Sequence, residues 1–145
     1  NQHHAQVHAL GSHSDFATYL NQAVLTTSNI IHVDALLNGK LSFGNATELT
    51  IADGTITVTR SYHIVDTQGN EALDNLNTIN GGVDGMILIL RPANSARTIS
   101  VMTQGNIALT GGGNKLLTSM YSTITLMYDL GRLKWLQIAH ANENN

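Results

Sequence analysis

Residues 56–101 read ITVTRSYHIVDTQGNEALDNLNTINGGVDGMILILRPANSARTISV. Two further runs follow, GNIALTGGG at 105–113 and STITLMYDLGRLKWLQIA at 122–139. Short stretches of Ile, Val, Thr and Leu alternate with clusters of Asn, Gly, Asp and Ser. β-branched side chains suit a pleated surface, and the clusters supply the residues that reverse a chain. About eight to ten short strands at this spacing predict an all-β domain, an antiparallel sandwich or jelly-roll-like fold.

The pattern is clearest at the C-terminal end. Ser122–Asp129 alternates at Ile124, Leu126 and Tyr128, and Leu130-Gly131-Arg132 turns the chain back into Leu133–Ala139. This predicts a hairpin. Asp53-Gly54 predicts a second hairpin, between Glu48–Ala52 and Thr55–Thr59, and Asn38-Gly39 a third, between Ile30–Leu37 and Leu41-Ser42-Phe43. Met86–Leu90 is continuously apolar and reads as a buried central strand, ended by Arg91-Pro92. Ala72, Leu73, Leu76 and Ile79 fall at helical spacing, which predicts a helical turn or a folded loop. No internal repeat is visible.

Composition shifts near residue 37. Residues 1–37 predict an extended, partly helical arm, and residues 38–145 the β-rich domain. Within the arm, Phe16, Ala17, Tyr19, Leu20, Ala23 and Val24 permit a short helix with Ser14 or Asp15 as its N-cap.

Of the 145 residues, 42% are hydrophobic and only 12% charged, with a formal net charge of −3. Seven Lys and Arg are too few for a stripe that displaces counterions, so no nucleic-acid partner is expected. There is no cysteine, which excludes disulfides and thiolate sites. No apolar run of about 18 residues occurs, so no membrane span is expected.

Four groups of residues invite a chemical reading. His3, His4, His8 and His13 crowd into the arm, and the His4–His8 spacing places both on one face of a helix, a zinc-ligand geometry. No HExxH pattern accompanies them and Gly11 disfavours a long helix, so packing between chains is the alternative. Tyr62, Tyr121, Tyr128 and Trp135 are candidate sugar-stacking platforms or interface aromatics. Asp66, Glu71, Asp74 and Asp84 form either an acidic patch of the kind a glycosidase pair needs or a solvated face. Thr110-Gly111-Gly112-Gly113-Asn114-Lys115 lacks the GxxxxGK[ST] spacing and reads as a turn. No G-x-S-x-G elbow or calcium-loop pattern is present, so no enzymatic activity and no cofactor are expected. The exposed loop tips are predicted at Asn80, Gly81, Gly82 and Asp84, and at Gly112 and Asn114.

The run SYHIVDTQGNEALDNLNTINGGVDGMILILRPANSARTISV, with GNIALTGG, ITLMYD and LKWLQIA, resembles the C-terminal module of tailed-bacteriophage tail-fibre-type virion surface proteins. HHAQVHALGSHSDF is similar to the connector phrases that precede such modules. The resemblance covers residues 1–16 and 56–140. It implies a homotrimeric, β-rich virion component, a tail-fibre or receptor-binding protein attached through its N-terminal arm to other virion proteins. It carries no catalytic residues. The chain is short for a complete fibre and has no repetitive shaft, which keeps a capsid decoration protein open. A carbohydrate-binding module that takes a host surface glycan is the third reading.

Overall fold

The computed structural model describes residues 34–143. The chain divides into two compact units, Asn1–Lys40 and Leu41–Asn145. Residues 34–40 carry no strand or helix.

The second unit is all-β, as the alternation requires, but its chain winds as a solenoid instead of folding as a sandwich. β1 (Thr47–Thr50), β2 (Thr55–Thr57), β3 (Tyr62–Asp66), β4 (Leu73–Leu76), β5 (Thr78–Asn80), β6 (Ile87–Pro92) and β7 (Thr98–Val101) form successive coils. β1, β3 and β6 stack in parallel, with His63 beside Thr47 and Leu90 beside His63. β5 stacks in parallel on β2, and β7 on β4. Parallel neighbours of this kind cannot be joined by tight hairpins. The chain must travel around the coil before it returns, so each strand meets a partner distant in sequence.

Each coil needs corners. Asp53 and Gly54 have φ of 49° and 74°. Ala52 and Thr55 exchange backbone hydrogen bonds of 3.0 and 2.9 Å across them. This is the primed two-residue turn that Asp-Gly favours. It makes a single bridge, after which β1 and β2 part into different sheets. The predicted second hairpin is therefore a corner. The predicted third hairpin, at Asn38-Gly39, is absent over its described part: residues 34–46 hold only a bend at 38–39.

A second corner lies at Asn77, whose N–H donates to the Gly54 carbonyl at 2.7 Å. Leu76 and Ile79 are both fully buried on either side of it. Three-residue spacing would put them on opposite faces of one straight strand. The bend at Asn77 returns Ile79 to the interior. The helical spacing of Leu73, Leu76 and Ile79 is thus produced by two strands and a corner, and Leu73 itself is exposed. The adjacent Gln68–Asn70 forms one 3-10 turn.

The C-terminal strands leave the coil and close its end. β8 (Ile107–Ala108) is followed by a 3-10 turn at Thr110–Gly112, then β9 (Lys115–Leu117), β10 (Thr123–Asp129) and β11 (Lys134–Ala141). β9 runs antiparallel to β7, and β10 runs antiparallel to β6. β10 and β11 make the predicted hairpin, with Ile138 bulged out of the ladder. The largest sheet has the order β1-β3-β6-β10-β11-β8.

Alternating side chains from every wall fill the coil. Ile56, Val65, Leu76, Ile79, Leu88, Leu90, Ile99, Val101, Leu117, Ile124, Leu126 and Trp135 form its core. Burying one such aliphatic side chain stabilises by about 1.5–3 kcal/mol. The Met86–Leu90 stretch does hold a central strand, but it alternates: Leu88 and Leu90 are fully buried and Met86 packs against the core, while Ile87 and Ile89 lie on the other face.

Candidate interaction surface

Buried polar side chains hold the ladder. The fully buried His63 accepts from the backbone N–H groups of Thr59 and Arg60 at Nε2, 3.2 and 3.1 Å away. The ring proton therefore sits on Nδ1, which faces the Thr47 hydroxyl at 2.8 Å and the Thr47 carbonyl at 3.2 Å. Asn106 extends the β2–β5 sheet with its side chain. Its Oδ1 accepts from Ile79 N–H at 3.0 Å and its Nδ2 donates to the Ile79 carbonyl at 2.7 Å. Among the described residues, every buried side-chain nitrogen or oxygen has a hydrogen-bond partner.

The acidic residues are dispersed among structural tasks. Asp66 pairs with Arg97 and accepts from Thr67 N–H at 2.9 Å, tying the end of β3 to the start of β7. Asp74 accepts from the N–H groups of Gln68 and Asn75, both at 2.8 Å. Asp84 accepts from Leu130 N–H at 2.9 Å and fastens its loop to the β10–β11 turn. Glu71 is exposed. In that turn, hydrogen bonds from the Arg132 guanidinium and N–H hold the Asp129 carboxyl below its ordinary range. Among the described residues no three His, Cys, Asp or Glu side chains group as a metal site. His3, His4, His8 and His13, with the packing and metal readings placed on them, lie outside the described residues.

Of the four aromatic candidates, Tyr128 and Trp135 are brought into ring contact. Trp135 is fully buried and donates from Nε1 to the Ile79 carbonyl at 2.9 Å, which closes it to a sugar. Tyr128 is half-buried with its ring 5.1 Å from that of Trp135, tilted at 59°. Tyr121 is 71% exposed in the turn before β10. Tyr62 is half-buried, and its hydroxyl accepts from Arg91 Nε at 2.8 Å. The predicted tips Asn80, Gly81, Asp84, Gly112 and Asn114 are exposed, whereas Gly82 lies against the Tyr128 ring.

One surface went unnoticed in the sequence. On the large sheet, His63, Val65, Leu88, Leu90, Ile124, Leu126 and Trp135 point inward, so their neighbours point outward. The register sets these in three rows. Glu48, Ile64 and Arg91 lie side by side, as do Tyr62, Ile89, Thr125 and Ala139, and then Ile87, Met127, Leu136 and Ala108. The bulged Ile138, 55% exposed, lies beside them. The two lower rows hold no charged side chain. Half the signal was legible, because Ile87 and Ile89 alternate with the buried Leu88 and Leu90. Which strands lie beside them is set by pairings distant in sequence.

No family model matches the chain, and no curated protein matches it. Among the described residues no helix is long and apolar enough to cross a membrane.

Proposed function

We propose that this chain is a structural component of a tailed-phage virion, a non-enzymatic homotrimer of the tail-fibre or receptor-binding type attached through residues 1–37. The observation that carries the reading is the two uncharged rows on the outer face of the large sheet, on a solenoid whose buried polar groups are occupied in holding the coils together. A solenoid needs both its corners and its ends satisfied, and this one places its hydrogen-bonding side chains there. What it offers outward is a stiff, sparsely charged surface. Such a surface suits packing against copies of itself, and repetition on a particle then strengthens weak polar contacts with a host glycan. The resemblance of residues 56–140 to tail-fibre modules supports the same reading.

Immunogold labelling tests it. An antibody against the full chain is applied to tailed-phage particles that encode it. Label at the tail or its fibres is the expected result. Label over the head in high copy would move the protein to capsid decoration, and unlabelled particles would overturn the virion assignment.

A further inference from the structure

We infer that the outer face of the large sheet is where three copies of this chain meet, with Glu48 of each copy paired to Arg91 of the next. The inference rests on the trimeric reading above and names the surface that would build it.

The first argument is composition. Ile64, Ile87, Ile89, Met127 and Leu136 stand outside the core cluster, on the opposite face of the sheet from it. They adjoin Thr125, Ala139 and Ala108 in the register given above, so large and small side chains are interleaved on one sheet. A sheet face meant for water carries charged or strongly polar residues at such positions. Interface centres are instead depleted of Lys, Glu and Asp.

The second argument is charge. Glu48 lies on β1, the edge strand, and Arg91 two strands further in, with Ile64 between them. Neighbouring strands are about 4.8 Å apart, which sets the Cα atoms of Glu48 and Arg91 about 10 Å apart, and the two side chains do not pair within one copy. Among the described residues neither has an ion-pair partner; the two pairs present are Arg97–Asp66 and Arg132–Asp129. Arg91 is held in place by Nε on the Tyr62 hydroxyl and Nη1 on the Pro92 carbonyl. A head-to-tail ring solves the mismatch. The edge of one sheet meets the middle of the next, the acid of each copy reaches the base of its neighbour, and a threefold rotation closes the ring. Ion pairs of this kind fix register more than affinity, which the apolar rows supply.

The test is native mass spectrometry of the full chain and its variants, each shown folded by circular dichroism and thermal unfolding. The wild type should be a trimer. Thr125→Arg, a change that a free sheet face would tolerate, should give a folded monomer at the same loading. Glu48→Arg and Arg91→Glu should each weaken the trimer, and the double exchange should restore it. Thr57→Arg, on the separate β2–β5 sheet, should leave the trimer intact. A wild-type trimer that survives Thr125→Arg would overturn this interface while leaving the trimeric reading standing. A wild-type monomer or dimer would overturn both.

Discussion

The coil and its C-terminal cap are held together in different ways. In the coil, β1 to β7 stack in parallel, and order depends on many small fits at the corners. Gly54, Asn77 and Gly105 show this. A Cβ on Gly105 would lie 2.3 Å from the Asn77 carbonyl oxygen, and Gln104 reaches the Asn77 side chain. In the cap, β10 and β11 pair along an antiparallel ladder interrupted by the bulge at Ile138, and one side chain, Trp135, reaches from it to the Ile79 carbonyl inside the coil. The difference teaches where each part is vulnerable. Stacked coils are vulnerable at the corners that fix their register as well as at buried positions such as His63. A cap tolerates change along its ladder but not at the side chain that seals the core, since repeat-like stacks need a closed end.

The largest effect is expected where the two regions meet. Trp135→Ala removes the largest fully buried side chain and one of the two side-chain donors to the Ile79 carbonyl, leaving Asn106 Nδ2 as the other. It should cost about 3–5 kcal/mol in denaturant unfolding. Hydrogen exchange then sharpens the comparison. If cap and coil are one cooperative unit, amides of β3 and β6 lose protection together with those of β10 and β11. If loss stays within the hairpin, the coil stands alone.

Within the coil, His63→Leu should cost about 1–3 kcal/mol, because it strips the acceptor from the Thr59 and Arg60 N–H groups and the partner from Thr47. Gly105→Ala should cost a similar or smaller amount, about 1–3 kcal/mol, from a positive φ of 56° and the clash with Asn77. Both are read as shifts in the urea midpoint. A neutral Gly105→Ala would mean that corner geometry does not fix the register of the coils.

The same division explains what the sequence could disclose. The β10–β11 hairpin was legible because Ile124, Leu126 and Tyr128 alternate and Leu130-Gly131-Arg132 turns them, all within one short stretch. Asp53-Gly54 disclosed a tight turn correctly, yet the same geometry serves a hairpin and a solenoid corner. What separates them is whether β2 continues along β1, and that is decided by Thr78, Ile79 and Asn80, which claim β2 from further along the chain. The coils differ in length, so no period betrays them. Asn77 disguised two strands as helical spacing by bending the chain between Leu76 and Ile79. The outward rows of the large sheet stayed hidden for the same reason: Glu48, Ile64 and Arg91 become neighbours only through parallel pairing.

The smallest expected effect lies at the tip of the cap, in the Asp129–Arg132 turn. Arg132 donates to the Asp129 carboxylate from its guanidinium and its backbone N–H, which lowers the carboxyl's pKa in the folded chain. A lowered folded-state pKa means that the stabilisation is fully present above the unfolded value, about 3.9 for aspartate, and is lost as pH falls through the folded value. The turn is exposed and its pair is screened by solvent, so the contribution is small. Asp129→Asn should leave stability near pH 7 almost unchanged and make the acid limb of unfolding slightly shallower. A steep loss of stability at neutral pH in that variant would show that the tip, and not Trp135 alone, secures the cap to the coil.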